Sequence, residues 1–223
     1  MLCPNTVFKD NRWDAAATIL TDERCCGWYV QNYDGTPSPK IFPIPIGFDL
    51  HTKGKPQMAW YVELRDSPQP DRKLAILIDS MRLGVKGPWS RGADGRKLAV
   101  DTTARCQKHE RSPHLSVKDV QREYRKYAFG LSPKGNGVDC HRTWEMLYFG
   151  MIPITLHSSI DSLYDGLPVV LLDRWADICD LDLHATLTRL GPLLPVREEM
   201  FTVDHWFGRY RPNHTCTVRV TTP

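Results

Sequence analysis

The run from Ser132 to Glu145 holds Lys134, Gly135, Asn136, Gly137, Asp139, Arg142 and Glu145, a set that could grip a phosphate and a sugar diol. The two glycines suit a tight turn in which backbone amides face an anion. Asp139 is placed to cap a following helix, whose start would add unpaired N–H groups and a partial positive charge. Arg142 falls in the first turn of that helix, where a guanidinium can clamp a diphosphate with two N–H groups. Glu145, one turn on, can accept hydrogen bonds from ribose hydroxyls. Lys134 is a secondary cation beside the same loop.

Such a loop works only if a strand delivers it and a helix receives it. Tyr127–Leu131 is short, apolar and ended by Pro133, as a buried strand should be. Downstream, Asp139–Phe149 reads as a helix with Trp144, Leu147 and Tyr148 as core positions. Strands are expected at Lys73–Asp79, Leu98–Thr102, Ile152–Leu156 and Val169–Leu172, the first a continuous apolar run suited to a parallel sheet. Helices are expected from Ser116, which opens a capping box, and over 182–190 and 202–210. The alternation predicts an α/β, Rossmann-like parallel sheet over residues 71–223. Residues 1–70 read as a shorter region with strands at Ala17–Thr21 and Lys40–Ile46, then a proline-broken linker or surface loop over Tyr61–Pro70.

The stretch Tyr127–Glu145 resembles exostosin-like glycosyltransferases, particularly short versions from large algal viruses. So do Gly150-Met151-Ile152-Pro153-Ile154, Leu167-Pro168-Val169-Val170 and Arg174-Trp175-Ala176-Asp177-Ile178. The resemblance is regional, densest from Ser116 to Ile178, and implies the C-terminal, nucleotide-sugar-binding half of a GT-B fold. It also implies a UDP-sugar donor, a glycan or glycoprotein acceptor and inverting transfer. Arginine and backbone amides would neutralise the diphosphate, so no metal or other cofactor is expected. Gln31-Asn32-Tyr33-Asp34 and Ile44-Pro45-Ile46-Gly47-Phe48-Asp49 look like the family's crossing segment, making residues 1–70 an acceptor-side remnant. The acceptor's base would come from that side, where Asp34, Asp49 and His51 are the nearest titratable groups.

Arg91, in the basic, glycine-rich segment Lys86–Arg96, could reach a diphosphate from the opposite side, because the segment follows the end of a predicted strand. Trp144 and Tyr148 are read as core. Asp180-Leu181-Asp182 is read as a helix cap and not as a metal triplet. The glycine pattern follows a late strand, which weighs against a dinucleotide oxidoreductase. No histidine pair or GxxxxGK[ST] loop supports a metalloprotease or ATPase. The rival to an active transferase is a nucleotide-sugar-binding module, inactive alone, that serves as a partner subunit or is a degenerate relative; a second chain could complete the cleft.

Composition sets outer limits. An apolar content of 41% over 223 residues can build a sizeable core, and a net charge of +3 from 29 basic and 26 acidic residues argues against a general nucleic-acid binder. No window approaches the ~20 apolar residues of a transmembrane helix, and no signal-peptide pattern opens the chain. A soluble, cytoplasmic protein is the expectation. The seven cysteines are irregularly spaced, so reduced thiols are expected as well.

Overall fold

A computed structural model describes residues 2–3, 13–50, 56–81, 95–113 and 115–210. Two parallel sheets organise them. The smaller has the order β1-β2-β3, formed by Leu2–Cys3, Trp28–Val30 and Ile41–Pro43. The larger has five strands, β4 (Lys73–Ile78), β5 (His109–Arg111), β6 (Tyr127–Leu131), β7 (Ile152–Leu156) and β8 (Val170–Leu172). Their order is β5-β4-β6-β7-β8, all parallel. This is an α/β architecture compatible with a Rossmann-like fold. The chain leaves β4 toward β5 on one side and leaves β6 toward β7 on the other, so the direction of winding reverses between β4 and β6. Open α/β sheets bind ligands in the crevice that this reversal creates beyond the strand ends.

Burial follows from position in the sheet. Every residue of β6 and β7 is buried, as strands covered on both faces require. The edge strand β5 is His-Glu-Arg, a polar sequence that discourages pairing with another chain. Gly130 in β6 is needed for space, because a Cβ there would lie 2.3 Å from Met151 Sδ and 2.7 Å from Met146 Cε. These methionines press helix α5 (His141–Tyr148) onto the sheet through that gap.

Seven α-helices are described: α1 (Trp13–Thr21), α2 (Pro56–Asp66), α3 (Arg96–Thr103), α4 (Val117–Tyr124), α5 (His141–Tyr148), α6 (Leu183–Leu190) and α7 (Val203–Tyr210). Capping is legible in several. Ser116 accepts from the Asp119 amide at the start of α4, and Asp182 accepts from the Ala185 amide at the start of α6. At the end of α5, Gly150 takes φ +75° and its amide bonds to Leu147 O while the Met151 amide bonds to Met146 O. That pair of bonds stops the helix and turns the chain directly into β7.

Three expected elements differ from those observed. Ala17–Thr21 is the end of helix α1, where the run Ala15-Ala16-Ala17 carries the strongest helix preference. Leu98–Thr102 lies in helix α3, which buries Ala99, Val100 and Thr103 on one face while Leu98 is exposed. An apolar run that short does not reveal its period. Tyr61–Pro70 is mostly helix α2, and its buried Gln57, Tyr61 and Leu64 recur at i, i+4 and i+7. The prolines end it and do not make the whole stretch a linker.

The segment before β4 packs on the second sheet's helices. Tyr29 stacks on Phe207 of α7 with ring centroids 4.3 Å apart, and the Tyr210 hydroxyl donates to Pro43 O. Ile44 belongs to the same core cluster as Trp144 and Leu147, and Tyr61 to the same cluster as Met146 and Leu77.

Cysteine chemistry also departs from the expectation of reduced thiols. Cys106, just after α3, and Cys179, which ends the 3₁₀ turn Trp175–Cys179, form a disulfide with Cα atoms 5.2 Å apart. Spacing alone hid it, since 73 positions separate the two residues and only the fold lays α3 beside that turn. Cys25 and Cys140 are free thiols. Among the described residues no helix is long and apolar enough to cross a membrane. Non-reducing peptide mapping of the protein should recover a Cys106–Cys179 cross-linked peptide. Replacing both with serine should cost ~2–4 kcal/mol in urea unfolding, as expected for releasing a long closed loop.

Candidate functional site

Several charged groups meet in the crevice between the carboxyl ends of β4 and β6. Asp79 follows β4 directly and is 6% exposed. Its Oδ2 accepts from Arg142 Nε at 2.8 Å and from the Tyr124 hydroxyl at 2.7 Å, joining the ends of α4 and α5 to the first strand of the sheet. Burial opposes the charge on Arg142, but Asp79 outweighs it and lifts the guanidinium above its ordinary range. Burial, and then the same carboxylate, push the Tyr124 hydroxyl far up, so it remains a donor. Asp79 Oδ1 and Arg142 Nη1 are buried without a hydrogen-bond partner. Such groups are uncommon in folded proteins, and each calls for a reason.

A second guanidinium stands beside the first. Arg96, at the start of α3, donates through Nε to Lys134 O at 3.1 Å. Burial and the positive charge of Arg142 both pull Arg96 below its ordinary value. Lys134 is itself buried. The crevice therefore brings two guanidiniums, those of Arg142 and Arg96, near Asp79.

The glycines of the loop serve a different physical purpose from the one expected. Neither Gly135 nor Gly137 has positive φ, and the Gly135 amide is spent on Gly137 O within the turn. What they provide is room. A Cβ on Gly135 would sit 2.6 Å from Arg96 Nη2, and one on Gly137 would sit 2.0 Å from Asn32 Oδ1. Asn32, at φ 53°, uses that oxygen to accept from the Asp139 amide at 2.9 Å. Asn136, at the loop tip, is exposed.

Asp139 does not cap α5, whose N-cap is Cys140 without a side-chain cap bond. Its carboxylate instead accepts from the Ile46 amide at 2.6 Å, the Cys140 amide at 2.8 Å and Trp144 Nε1 at 2.8 Å. It thus clips the segment after β3 to the front of α5. Burial pushes this carboxyl up to about 6 in spite of the three donors. His141, next to the clip, meets Gly47 O through Nδ1 at 2.7 Å, which requires the proton on Nδ1 because a carbonyl only accepts.

Glu145 is buried and its Oε1 accepts from the Tyr61 hydroxyl at 2.5 Å. Tyr61 in turn accepts from Gln121 Nε2 at 3.0 Å, and Gln121 Oε1 accepts from Gln57 and Trp60. This chain of buried bonds joins α2, α4 and α5. Burial, and then the Glu145 charge, raise Tyr61 well above an ordinary phenol.

The expected base candidates lie apart from this cluster in the chain. Asp34 Oδ1 accepts from the Thr36 amide at 2.9 Å, a local turn bond. Asp49 is half-buried and near enough to Tyr61 to contribute to its upward shift. His51 and Arg91 lie outside the described residues. Asp180-Leu181-Asp182 contributes a helix cap through Asp182. Among the described residues, no group of three His, Cys, Asp or Glu side chains is arranged to hold a metal ion.

Sequence reading passed over Asp79 as a site residue, along with Tyr124, Arg96, Tyr61 and Asn32. One signal was available for Asp79, a carboxylate directly after the first apolar strand of a parallel sheet, where ligand sites form. No protein-family model matches the chain, and no curated protein matches it.

Two outcomes follow from this packing. Gly137→Ala should destabilise the protein by ~1–3 kcal/mol, because Asn32 must retreat and leave the Asp139 amide unpaired. In a double-mutant cycle with Asn32→Ala the costs should fall clearly short of additive. The second outcome concerns pH. The folded state holds the Asp139 proton more tightly than the unfolded chain, so this carboxyl stabilises the fold fully below pH ~4 and loses that contribution as pH rises through about 6. The two values set a ceiling of about 3 kcal/mol. Asp139→Asn should flatten that part of the stability profile between pH 4.5 and 7, measured by urea titration against the unsubstituted protein.

Proposed function

We propose that this chain is a glycosyltransferase of exostosin-like, GT-B type that moves a sugar from a nucleoside diphosphate, UDP being the favoured carrier, to a glycan hydroxyl with inversion. The observation that carries this reading is the meeting of Arg142 and Arg96 near one carboxylate, Asp79, at the switch point of the sheet, with the loop of Lys134 held against Arg96. Two guanidiniums close enough to disfavour each other's charge, with a buried Nη1 left over on Arg142, make a place that an anion would stabilise. A diphosphate leaving group develops negative charge as the sugar departs, and fixed cations in a buried crevice lower the energy of that state.

In this reading Arg96 takes the part that sequence assigned to Arg91. The front of α5 adds its dipole, and Glu145, held in place by Tyr61, accepts from the ribose hydroxyls. Arginine charge supplies the neutralisation, so donor binding proceeds without a divalent ion. The alternative of a nucleotide-sugar-binding module, inactive without a partner chain, uses the same grip. It is favoured by one detail, the commitment of Asp34 to a local turn. Turnover separates the two.

UDP should bind in the presence of chelator, and calorimetry should show Arg142→Ala and Arg96→Ala each weakening it by ~1.5–3 kcal/mol. Glu145→Gln should weaken UDP more than its 2′-deoxy counterpart. Binding that vanishes with chelator, or survives both arginine substitutions, would remove the reading.

A further inference from the structure

A cleft of about 530 Å³ lies beyond the carboxyl ends of β4 and β5, beside the cationic crevice. Its volume falls in the ~300–1,000 Å³ range of small-molecule sites. It is lined by Asp79, Ser80, Met81 and Val100 from one strand end and α3, and by Arg111, Ser112 and Pro113 from the other. The two strand ends are fixed against each other, since Ile78 pairs with Arg111 in the ladder and the Ser112 amide donates to Ile78 O at 3.0 Å. The lining mixes two hydroxyls, a carboxylate and a guanidinium with three apolar side chains. A sugar presents the matching surface, with C–H faces for Met81, Val100 and Pro113 and hydroxyl edges for the serines.

Asp79 connects this cleft to the crevice. One of its oxygens is held by Arg142 and Tyr124, which fixes the carboxylate's orientation, and the other, Oδ1, has no partner although the side chain is 96% buried. A buried acceptor without a donor costs stability unless something else fills the role. We propose that the β4–β5 cleft receives the carbohydrate acceptor and that Asp79 is the group its reacting hydroxyl meets. This rests on the transfer reading above. It replaces the base candidates of the N-terminal region with a residue on the donor-side sheet.

The chemistry balances. The acceptor hydroxyl donates its hydrogen bond to Asp79 Oδ1, and its proton passes to that oxygen as the hydroxyl oxygen bonds to the anomeric carbon. The bond from the anomeric carbon to the diphosphate breaks, and the diphosphate leaves with the electron pair, held by Arg142 and Arg96. Asp79 later returns the proton to water. Tyr124 and Arg142 act on this step as positioning residues, because they keep Oδ2 occupied and turn Oδ1 to the ligand.

The test uses the full chain in three measurements. Amide shifts are followed on adding a mixture of the methyl glycosides of glucose, galactose and mannose; UDP affinity is measured by calorimetry; and transfer is measured from a panel of UDP-sugars to a glycan mixture. The glycosides should shift the Ser80, Met81 and Ser112 amides with UDP present. Ser112→Phe, which fills the cleft from its rim, should abolish those shifts while leaving UDP affinity within about twofold. Asp79→Asn should keep the glycoside shifts and lower transfer by ~10²–10⁴-fold, the usual scale of a lost general base. Glycosides that leave the cleft amides unmoved, or an Asp79→Asn protein that transfers at the unsubstituted rate, would overturn the assignment. Loss of UDP binding alone, with the cleft shifts intact, counts against the nucleotide reading and leaves the carbohydrate cleft standing.

Discussion

The ion pair between Arg142 and Asp79 is the contact on which the rest of the crevice depends. It joins the first turn of α5 to the end of β4 across the point where the sheet reverses its winding, and Tyr124 closes it from α4. Taking two opposite charges out of water is costly, and a buried pair recovers that cost only with good geometry and further donors. Here the pair is incompletely satisfied on both sides, with Arg142 Nη1 and Asp79 Oδ1 unpartnered. A purely structural pair gains nothing from such loose ends. A site that takes an anion on one side and a hydroxyl on the other uses both.

Around that pair the polypeptide is fastened by single buried polar groups. Asp139 draws the segment after β3 to α5 through three donors, and Asn32 adds a fourth bond to the Asp139 amide. Glu145, Tyr61 and Gln121 tie α2 to α4 and α5. The consequence is that residues 28–50 and 56–66 cannot shift without disturbing the loop that carries Lys134 to Gly137. The packing of Gly135 against Arg96 and Gly137 against Asn32 places the same demand on the loop itself. Buried networks of this kind specify one arrangement when their members are satisfied.

Much of the larger sheet was legible in the sequence because continuous apolar strands and capped helices carry strong local signals. β4, β6, β7 and α4 fall where Lys73–Asp79, Tyr127–Leu131, Ile152–Leu156 and Ser116 placed them. The errors came where local pattern was short, as in Leu98–Thr102, or where proline obscured a preceding helical stripe, as in α2. The site was legible in part. Arg142 and Glu145 could be picked out, but their partners Asp79 and Tyr61 lie 63 and 84 positions away and are joined to them only by the topology. For Gly135 and Gly137, residue type suggests backbone freedom, whereas the structure requires glycine there for the room taken by Arg96 and Asn32, which the local sequence does not show. The same holds for Cys106 and Cys179.

The unpartnered faces of the Arg142–Asp79 pair are proposed as the working surfaces of a nucleotide-sugar crevice. A crystal structure of the protein grown with UDP tests it most directly. The diphosphate is expected between Arg142 Nη1 and Arg96, with the ribose against Glu145 and the β4–β5 cleft left open beside it. A diphosphate bound elsewhere, with the Arg142–Asp79 pair unchanged and its loose ends still buried, would contradict it.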